Sequence, residues 1–274
     1  MELYKYMSAE SFEEYIIDKQ TIRFTPPSAF NDPFEFKPAI VGFENERKFN
    51  EASYQIMDEE ARKQYSQVKH LITFEQFYAL IQLNMPNLIK VSKDFIFGMV
   101  NSDYFLEGIF KKIGVYCATA NNSNILMWSH YADSHYGLAI SFDSENTFFK
   151  KIPGELGGFK AVNYKLERPY SHLESMFNPD LWYTKSKLWE YEQEYRLVSP
   201  LVSKAKYDWI NMENGICRIP KSVIRSVTFG CKCSNKQIDD WRRQLADKGG
   251  FEHLKFYKAE MDKLEYKLNI VPLV

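Results

Sequence analysis

Apolar and charged residues alternate at period two between Trp189 and Val198, and this alternation predicts a β-strand. One face of the strand would carry Trp189, Tyr191, Gln193, Tyr195 and Leu197, and the other Glu190, Glu192, Glu194, Arg196 and Val198. On a sheet edge, the charged face would be solvated, with Arg196 neutralising one neighbour. In a cleft, the crowded carboxylates would raise the pKa of at least one Glu and form an acid–base or electrostatic site. The pattern leaves both interpretations open.

The same patterns predict further elements on both sides of this stretch. Strands are expected at residues 2–6, 21–24, 113–119, 138–143, 159–164, 223–230, 253–259 and 264–271. Helices are expected from Ser8 to Lys19, from Asn124 to Asp133 and from Asn235 to Asp247, each preceded or opened by a capping side chain. The strand, helix and strand between residues 113 and 143 could form a crossover between parallel neighbours.

Residues 44–112 differ from the rest, because they are rich in Glu, Lys, Gln and Met with apolar positions at helical spacing. About three helices are expected there, and Pro86 should break or start one of them. The whole pattern predicts a single α+β domain over residues 1–274, with a mixed, twisted β-sheet core and a helical insertion at 44–112.

The composition limits the classes of partner and the cellular location that we expect for the chain. Lys and Arg number 35 and Asp and Glu number 36, so the net charge of -1 does not indicate nucleic acid. The first residues carry acidic side chains and no apolar core of a signal peptide, and no apolar run reaches the length of a membrane span. A soluble cytoplasmic protein is therefore expected, of unknown oligomeric state.

Sequence signals for metal and nucleotide chemistry are weak. Cys231 and Cys233 form a single CxC that indicates a turn, because zinc sites want a second pair or nearby histidines. His130 and His135 are five residues apart and lack the i, i+4 spacing of helical zinc ligands. No GxSxG, Walker, GxGxxG or HExxH motif occurs. No metal site is predicted.

A loop at residues 28–36 contains Asn31-Asp32-Pro33 between two phenylalanines. Turn chemistry explains Asn31 and Asp32, since such side chains bond to nearby backbone and Pro33 biases the preceding residue to an extended conformation. The loop is also a candidate for positioning Asn31, Asp32 or Glu35 at a site.

Several motifs, in the same order over most of the chain, are similar to a bacterial family catalogued as domain of unknown function 2971. They are Leu3–Tyr6, Ile22–Phe24, Phe30–Glu35, Met127–Ala132 with Gly137, and Trp189–Arg196. The resemblance implies family membership and no established activity.

A looser resemblance connects the order of elements and Glu192-Gln193-Glu194 with ADP-ribosyltransferase-like folds, which place a late glutamate, sometimes as an E-x-E pair, on a strand. It implies NAD as co-substrate, with Glu194 bonding the ribose 2′-hydroxyl, Glu192 orienting the acceptor and His130 as a further catalytic candidate. The cofactor-binding candidates are Lys5, Tyr6, Tyr131, Arg196, Asn31 and Asp32. The first-strand Arg or His and the Ser-Thr-Ser strand of those folds are absent here.

Three hypotheses follow for function. The first is a nucleotide-handling enzyme of ADP-ribosyltransferase type, for example a defence or toxin effector. The second is a non-catalytic binding or sensor module with Trp128, Trp189 and Tyr195 around a pocket and a structural Glu194–Arg196 ion pair. The third is a metal-dependent nuclease built on Asp32, Glu35, Glu192 and Glu194.

Overall fold

The computed structural model describes residues 1–151, 158–201, 203–204, 211–213 and 215–273. The chain divides into two compact units. A sheet unit comprises Met1–Phe36, Ile109–Glu167 and Trp182–Val274. A helical unit comprises Lys37–Gly108 and Arg168–Leu181. The predicted α+β class is confirmed, since long helices and a mixed eight-stranded sheet both occur.

The strands expected outside residues 189–198 occur, with the one at 159–164 divided in two, and six further strands are described that the patterns did not predict. In chain order the described strands are β1 (Glu2–Met7), β2 (Thr21–Arg23), β3 (Ala39–Gly42), β4 (Ile113–Thr119), β5 (Leu138–Asp143), β6 (Lys160–Ala161), β7 (Asn163–Lys165), β8 (Tyr170–His172), β9 (Thr184–Ser186), β10 (Glu194–Pro200), β11 (Ser203–Lys204), β12 (Asn211–Glu213), β13 (Ile216–Arg218), β14 (Ile224–Phe229), β15 (Lys255–Met261) and β16 (Leu268–Pro272).

The helices are numbered in chain order as well. They are α1 (Ala9–Ser11), which continues as a π-helix over Phe12–Asp18, α2 (Glu46–Val68), α3 (Phe74–Val100), α4 (Asp103–Phe110), α5 (Ile125–Tyr131), α6 (Thr147–Lys151) and α7 (Asn235–Lys248). Three of them, α2 to α4, fall within residues 44–112, as the spacing of apolar residues predicted.

The expectation that Pro86 breaks or starts a helix is wrong, because this residue lies inside α3. A proline costs a helix one hydrogen bond and crowds the preceding turn. Met85 and Ile89, on either side of the proline, are both buried, so packing holds the helix together across it.

The large sheet has the strand order β16-β15-β14-β5-β1-β4-β10-β6. The β14–β15 pair is parallel, and the other paired neighbours are antiparallel. Strands β4 and β5 both pair with β1 and therefore run parallel to each other. They are not neighbours, which corrects the predicted crossover between adjacent strands; the short α5 instead leads across the intervening β1.

Each face of this sheet carries its own core. On one face, Phe142 and Phe229 pack with Trp241 of α7 in a large apolar cluster. On the other face, Tyr6 packs with Trp128 of α5, whose ring lies edge-on at a centroid distance of 5.0 Å. The second face is the one that matters for the site, because α5 brings polar side chains to it.

Strands β1 and β4 separate near the middle of the sheet. Strand β1 pairs with β5 at six positions, whereas its pairing with β4, in the part of the chain described, consists of Tyr4 opposite Thr119. On its other side, β4 pairs with β10 along seven positions. The two halves of the sheet thus meet at one point, and the cavity described below is lined by residues from both strands.

Candidate functional site

The predicted strand from Trp189 to Val198 is in fact two elements. Lys187–Glu192 form a 3₁₀ helix, and β10 begins only at Glu194. Between them, Gln193 has φ 45° and ψ 49°, a left-handed conformation that a continuing strand cannot contain. Period-two alternation does not distinguish such a break from a regular strand, so the expectation is wrong for the first half of the stretch.

The break changes which side chains are buried. Glu190 is exposed, whereas Glu192, Glu194 and Arg196 retain only 3%, 5% and 0% of their accessible surface. The solvated interpretation of this charged face is therefore wrong. Charged side chains are almost never fully buried unless they are paired with opposite charges, and Glu192, Glu194 and Arg196 are paired in this way.

Lys185, on β9, is the centre of the pairing. Its Nζ lies 2.5 Å from Glu192 Oε2, 3.1 Å from Glu194 Oε2 and 3.2 Å from Glu35 Oε1. Its side chain is 4% exposed. One ammonium therefore contacts three carboxyl groups from two separate parts of the chain, the loop at Glu35 and the E-x-E pair.

Arg196 is the second cation that pairs with these carboxyl groups. Its Nε donates to Glu194 Oε1 at 2.7 Å and its Nη2 to Glu194 Oε2 at 3.0 Å, a bidentate pair. Nη2 also donates to Glu35, and Nη1 donates to the carbonyl of Trp182 at 2.7 Å. We call Glu35, Lys185, Glu192, Glu194 and Arg196 the ion network.

Burial and charge act in opposite directions on these groups. Burial opposes ionisation of Glu194, but the charges of Arg196 and Lys185 outweigh it and lower its pKa to about 2. For Glu35, burial outweighs the same two cations and raises the pKa above its ordinary range. Burial also disfavours the charged form of Lys185, yet the three carboxylates around it raise its pKa. Glu194 is thus the firmly ionised member and Glu35 the one that retains a proton most readily.

The two carboxyl groups of the E-x-E pair differ in their remaining hydrogen-bonding capacity. A carboxylate has about four lone-pair sites. Glu194 accepts three bonds from Arg196 and Lys185 and a fourth from the Cys117 thiol. Glu192 accepts from Lys185 and, at 2.7 Å, from the Tyr131 hydroxyl. Within the contacts described, Glu192 is the member of the E-x-E pair that has unused acceptor sites.

A cavity of about 360 Å³ opens on the ion network. Its lining includes three of the network carboxyl groups with Lys185, and a set of aromatic and polar side chains. The latter are Tyr4, Tyr6, Phe30, Asn31, Cys117, Thr119, His130 and Tyr131. The size lies within the range of small-molecule pockets, and the mixture of apolar walls with a few convergent polar groups is typical of them.

Two candidates come from α5. Tyr131 reaches the network directly through its bond to Glu192, and burial together with that carboxylate raises the pKa of Tyr131. His130 is exposed at the cavity wall, where its Nδ1 lies 3.4 Å from the Tyr191 hydroxyl. His130 has no contact with the ion network in the hydrogen bonds and ion pairs described.

The loop at residues 28–36 places Asn31 and Glu35, but not Asp32, at the cavity. Asn31 lines the cavity and hydrogen-bonds Tyr131. Asp32 is buried, and its Oδ1 accepts from the Phe34 amide at 2.9 Å, so its carboxylate shapes the turn and is not part of the cavity lining. Glu35 is the residue that this turn delivers to the network.

Lys5 and Tyr6 alternate on β1 and lie on opposite faces of the sheet. Tyr6 is buried, with its hydroxyl donating to the Asn121 carbonyl at 2.9 Å. Lys5 Nζ lies 5.3 Å from the ring centroid of Tyr116, which belongs to the core on the face opposite to Glu194. Both residues border the cavity, although neither has a polar contact with the ion network among those described.

Lys185 was not anticipated from the sequence. It stands in a three-residue strand without alternation, two positions before Lys187, and nothing local distinguishes the two lysines. Its role arises from Glu35, which is 150 positions earlier, and from the E-x-E pair, so only a requirement for a cation near three buried carboxylates could have indicated it.

Comparison with known proteins identifies one family. The family model described as "Protein of unknown function (DUF2971)" matches residues 127–197. This segment is similar to the DUF2971 family. The predicted resemblance is thereby confirmed for residues 127–197, which contain Lys185, Glu192, Glu194 and Arg196, whereas Glu35 and the other N-terminal motifs lie outside the match. No curated protein and no solved structure matches the chain significantly.

Two further features are missing from the part of the chain that the structure describes. No helix in it is both long and apolar enough to cross a membrane. The same residues contain no group of three or more His, Cys, Asp and Glu side chains placed to hold a metal ion. The three network carboxyl groups do converge, but they do so on the ammonium of Lys185.

Proposed function

We propose that this protein is a cytoplasmic, NAD-using enzyme of the ADP-ribosyltransferase type and that the cavity on the ion network is its active site. The observation that carries the proposal is that Glu192 and Glu194, an E-x-E pair, both line one small cavity together with Tyr131 and His130. In such a site the substrate would be held between aromatic walls and a floor of fixed negative charge.

The chemistry requires a negative charge that is already in place. When the bond between C1′ of the ribose and the pyridinium nitrogen breaks, the electron pair leaves with neutral nicotinamide and positive charge develops on the ribose. Water or an acceptor nucleophile then bonds to C1′ and loses its proton. Glu194 suits the charge-stabilising role, because Arg196 and Lys185 keep it ionised and fixed in a buried position.

Glu192 and Tyr131 suit the binding role. Their hydrogen bond places a hydroxyl and a carboxylate side by side at the cavity wall. The carboxylate retains lone pairs for hydroxyl groups of a ribose or for the incoming nucleophile. His130 and Asn31, at the same wall, are available as further contacts.

The test is incubation of the full chain with NAD labelled in its adenylate part, with and without cell extract as a source of acceptor. The proposal predicts release of nicotinamide, transfer of label, or both, and loss of these products in Glu194→Gln. Glu190→Gln is the matched control, because Glu190 belongs to the same stretch but is exposed. Absence of both products from the folded wild-type protein would contradict the proposal.

A second candidate is a non-catalytic ligand-binding or sensor module. It is favoured by the saturation of Glu194, all of whose acceptor sites are engaged by protein groups. This function predicts saturable binding of a ligand in calorimetry without any turnover. The nuclease hypothesis ranks below both, since Asp32 is engaged in its turn and Lys185 stands where the other three carboxyl groups meet.

A further inference from the structure

Helix α3 carries a large apolar surface that the described part of the chain leaves exposed. The buried residues of this 27-residue helix are Met85, Ile89 and Val100. Six other large apolar residues of α3 retain between 42% and 79% of their accessible surface. We call this set the α3 stripe, and its members are Leu80, Leu83, Leu88, Val91, Phe95 and Met99. Single exposed apolar residues are ordinary on a protein surface, whereas a contiguous set indicates an interaction site.

The spacing of the α3 stripe places its members along one side of the helix. Successive residues of an α-helix are about 100° apart around its axis, so five members fall within an arc of about 100° and Leu83 borders that arc. The centre of the arc lies about 120° around the helix from the buried residues. From Leu88 through Val91 to Phe95 the intervals are three and four residues, as in the seam between two paired helices. The stripe therefore suits another helix as its partner.

The α3 stripe is large enough for a stable pair of chains. At a rise of 1.5 Å per residue, it is about 28 Å long from Leu80 to Met99. At the exposed fractions given above, its side chains present roughly 700 Å² in one copy, close to the area of about 800 Å² per partner in a standard protein interface. This area also exceeds the apolar patches of most monomeric proteins.

The polar residues beside the α3 stripe favour a second copy of the chain over a strongly acidic or basic partner. Lys90 and Asp94, one helical turn apart, are both exposed at the border of the stripe, and their charges cancel. A second copy offers the same cation and anion in return, so the surface is complementary to itself about a two-fold axis. Asn84, exposed within the same arc, is a polar residue of the kind that fixes the register of paired helices.

We propose that the α3 stripe is a dimer interface, in which α3 of one copy of this chain packs antiparallel against α3 of a second copy. Association removes the apolar surface of both stripes from water, and this removal drives it. The proposal is independent of the proposed enzymatic activity, because α3 belongs to the helical unit and the cavity is lined by residues of the sheet unit.

The test is sedimentation velocity of the purified full chain over a concentration series from about 1 μM to about 100 μM. Wild type should form a dimer within this range. Phe95→Glu should raise the dissociation constant about tenfold or more, because the interface would then bury a carboxylate without a partner. Ile56→Glu is the matched control, since Ile56 is an exposed apolar residue of α2 outside the stripe. Both side chains are exposed in the single chain, so neither change disturbs a core, and circular dichroism verifies the fold.

Thermal unfolding provides a second readout of the same dimer. The midpoint of wild type should rise with protein concentration, as expected when association stabilises the folded state, and that of Phe95→Glu should rise less. A wild-type chain that stays monomeric at about 100 μM would overturn the proposal. So would a dimer that Phe95→Glu leaves intact, or one that Ile56→Glu weakens as strongly.

Discussion

Lys185 Nζ lies 2.5 Å from Glu192 Oε2 and also contacts Glu194 and Glu35, of which Glu35 is distant in sequence. A buried ion pair adds little stability relative to apolar residues, because desolvation of both charges offsets their attraction. Removal of one partner is different, since it leaves the other charge buried without compensation. The network is therefore a poor way to gain stability and a good way to fix charge at a cavity.

Replacement of Lys185 by Met should be strongly destabilising. Three carboxyl groups would then share Arg196 alone, and loss of one partner from a buried pair costs about 3–5 kcal/mol. Urea denaturation of Lys185→Met and wild type measures the difference in the free energy of unfolding. Lys187→Met is the control, because Lys187 is exposed two positions away. Equal stability of the two variants would show that Lys185 is not the centre of a buried network.

Glu194 should make stability depend on acidic pH. Its pKa in the folded protein is about 2 against an ordinary value of 4.5, so its contribution is present above pH 4.5 and is lost as the pH falls from there through about 2. A shift of this size corresponds to roughly 3 kcal/mol. The difference in unfolding free energy between wild type and Glu194→Gln should fall by that order across this range. A difference independent of pH would contradict the assigned ion pairing.

Glu35 should make stability depend on pH in the direction opposite to that of Glu194. Its pKa is raised by burial, so the protonated form favours the fold. The stabilisation is complete below the unfolded value of 4.5 and is lost as the pH rises through the higher folded pKa. Glu35→Gln, which cannot ionise, should therefore gain stability relative to wild type as the pH rises from 4.5 toward 7. Chemical denaturation of both proteins at several pH values measures this difference in the free energy of unfolding. A loss of stability of Glu35→Gln relative to wild type between pH 4.5 and 7 would contradict a raised pKa of Glu35.

Substitutions at Gln193 test whether the backbone is left-handed between the 3₁₀ helix and β10. A left-handed conformation is strained for residues with a Cβ, most of all for β-branched ones, and unstrained for glycine. Gln193→Val should lose about 1–2 kcal/mol of stability, whereas Gln193→Gly should lose less or none. Thermal or urea unfolding of the two variants gives the comparison. If Val is tolerated as well as Gly, residue 193 is not left-handed in solution.

Much of the fold could be predicted because most of its strands follow local rules. Strands β4 and β5 begin and end at the residues that their apolar runs indicated, and α7 begins within one residue of the expected position, with Ser234 instead of Asn235 as its N-cap. The sheet order could not be predicted in this way. It depends on the pairing of β1 between β4 and β5, which are distant in sequence from it.

The site was predictable in part and for a similar reason. Charged residues at alternate positions identified Glu192, Glu194 and Arg196, and one motif identified Tyr131. A period-two pattern does not predict the 3₁₀ helix or the left-handed conformation of Gln193. Both features allow the carboxyl groups of Glu192 and Glu194 to contact the ammonium of Lys185. Glu35 was one of three candidates in its loop, whereas Lys185 joins the site only through tertiary contacts, which no local pattern contains.

The most direct test of the proposed active site is the initial rate of nicotinamide release from NAD, measured by chromatography for the purified full chain. Wild type should release nicotinamide, Glu190→Gln should match it, and folded Glu192→Gln and Glu194→Gln should be slower by about 10²-fold or more. No release by folded wild type, or an undiminished rate in Glu194→Gln, would contradict the claim that the ion network is an active site.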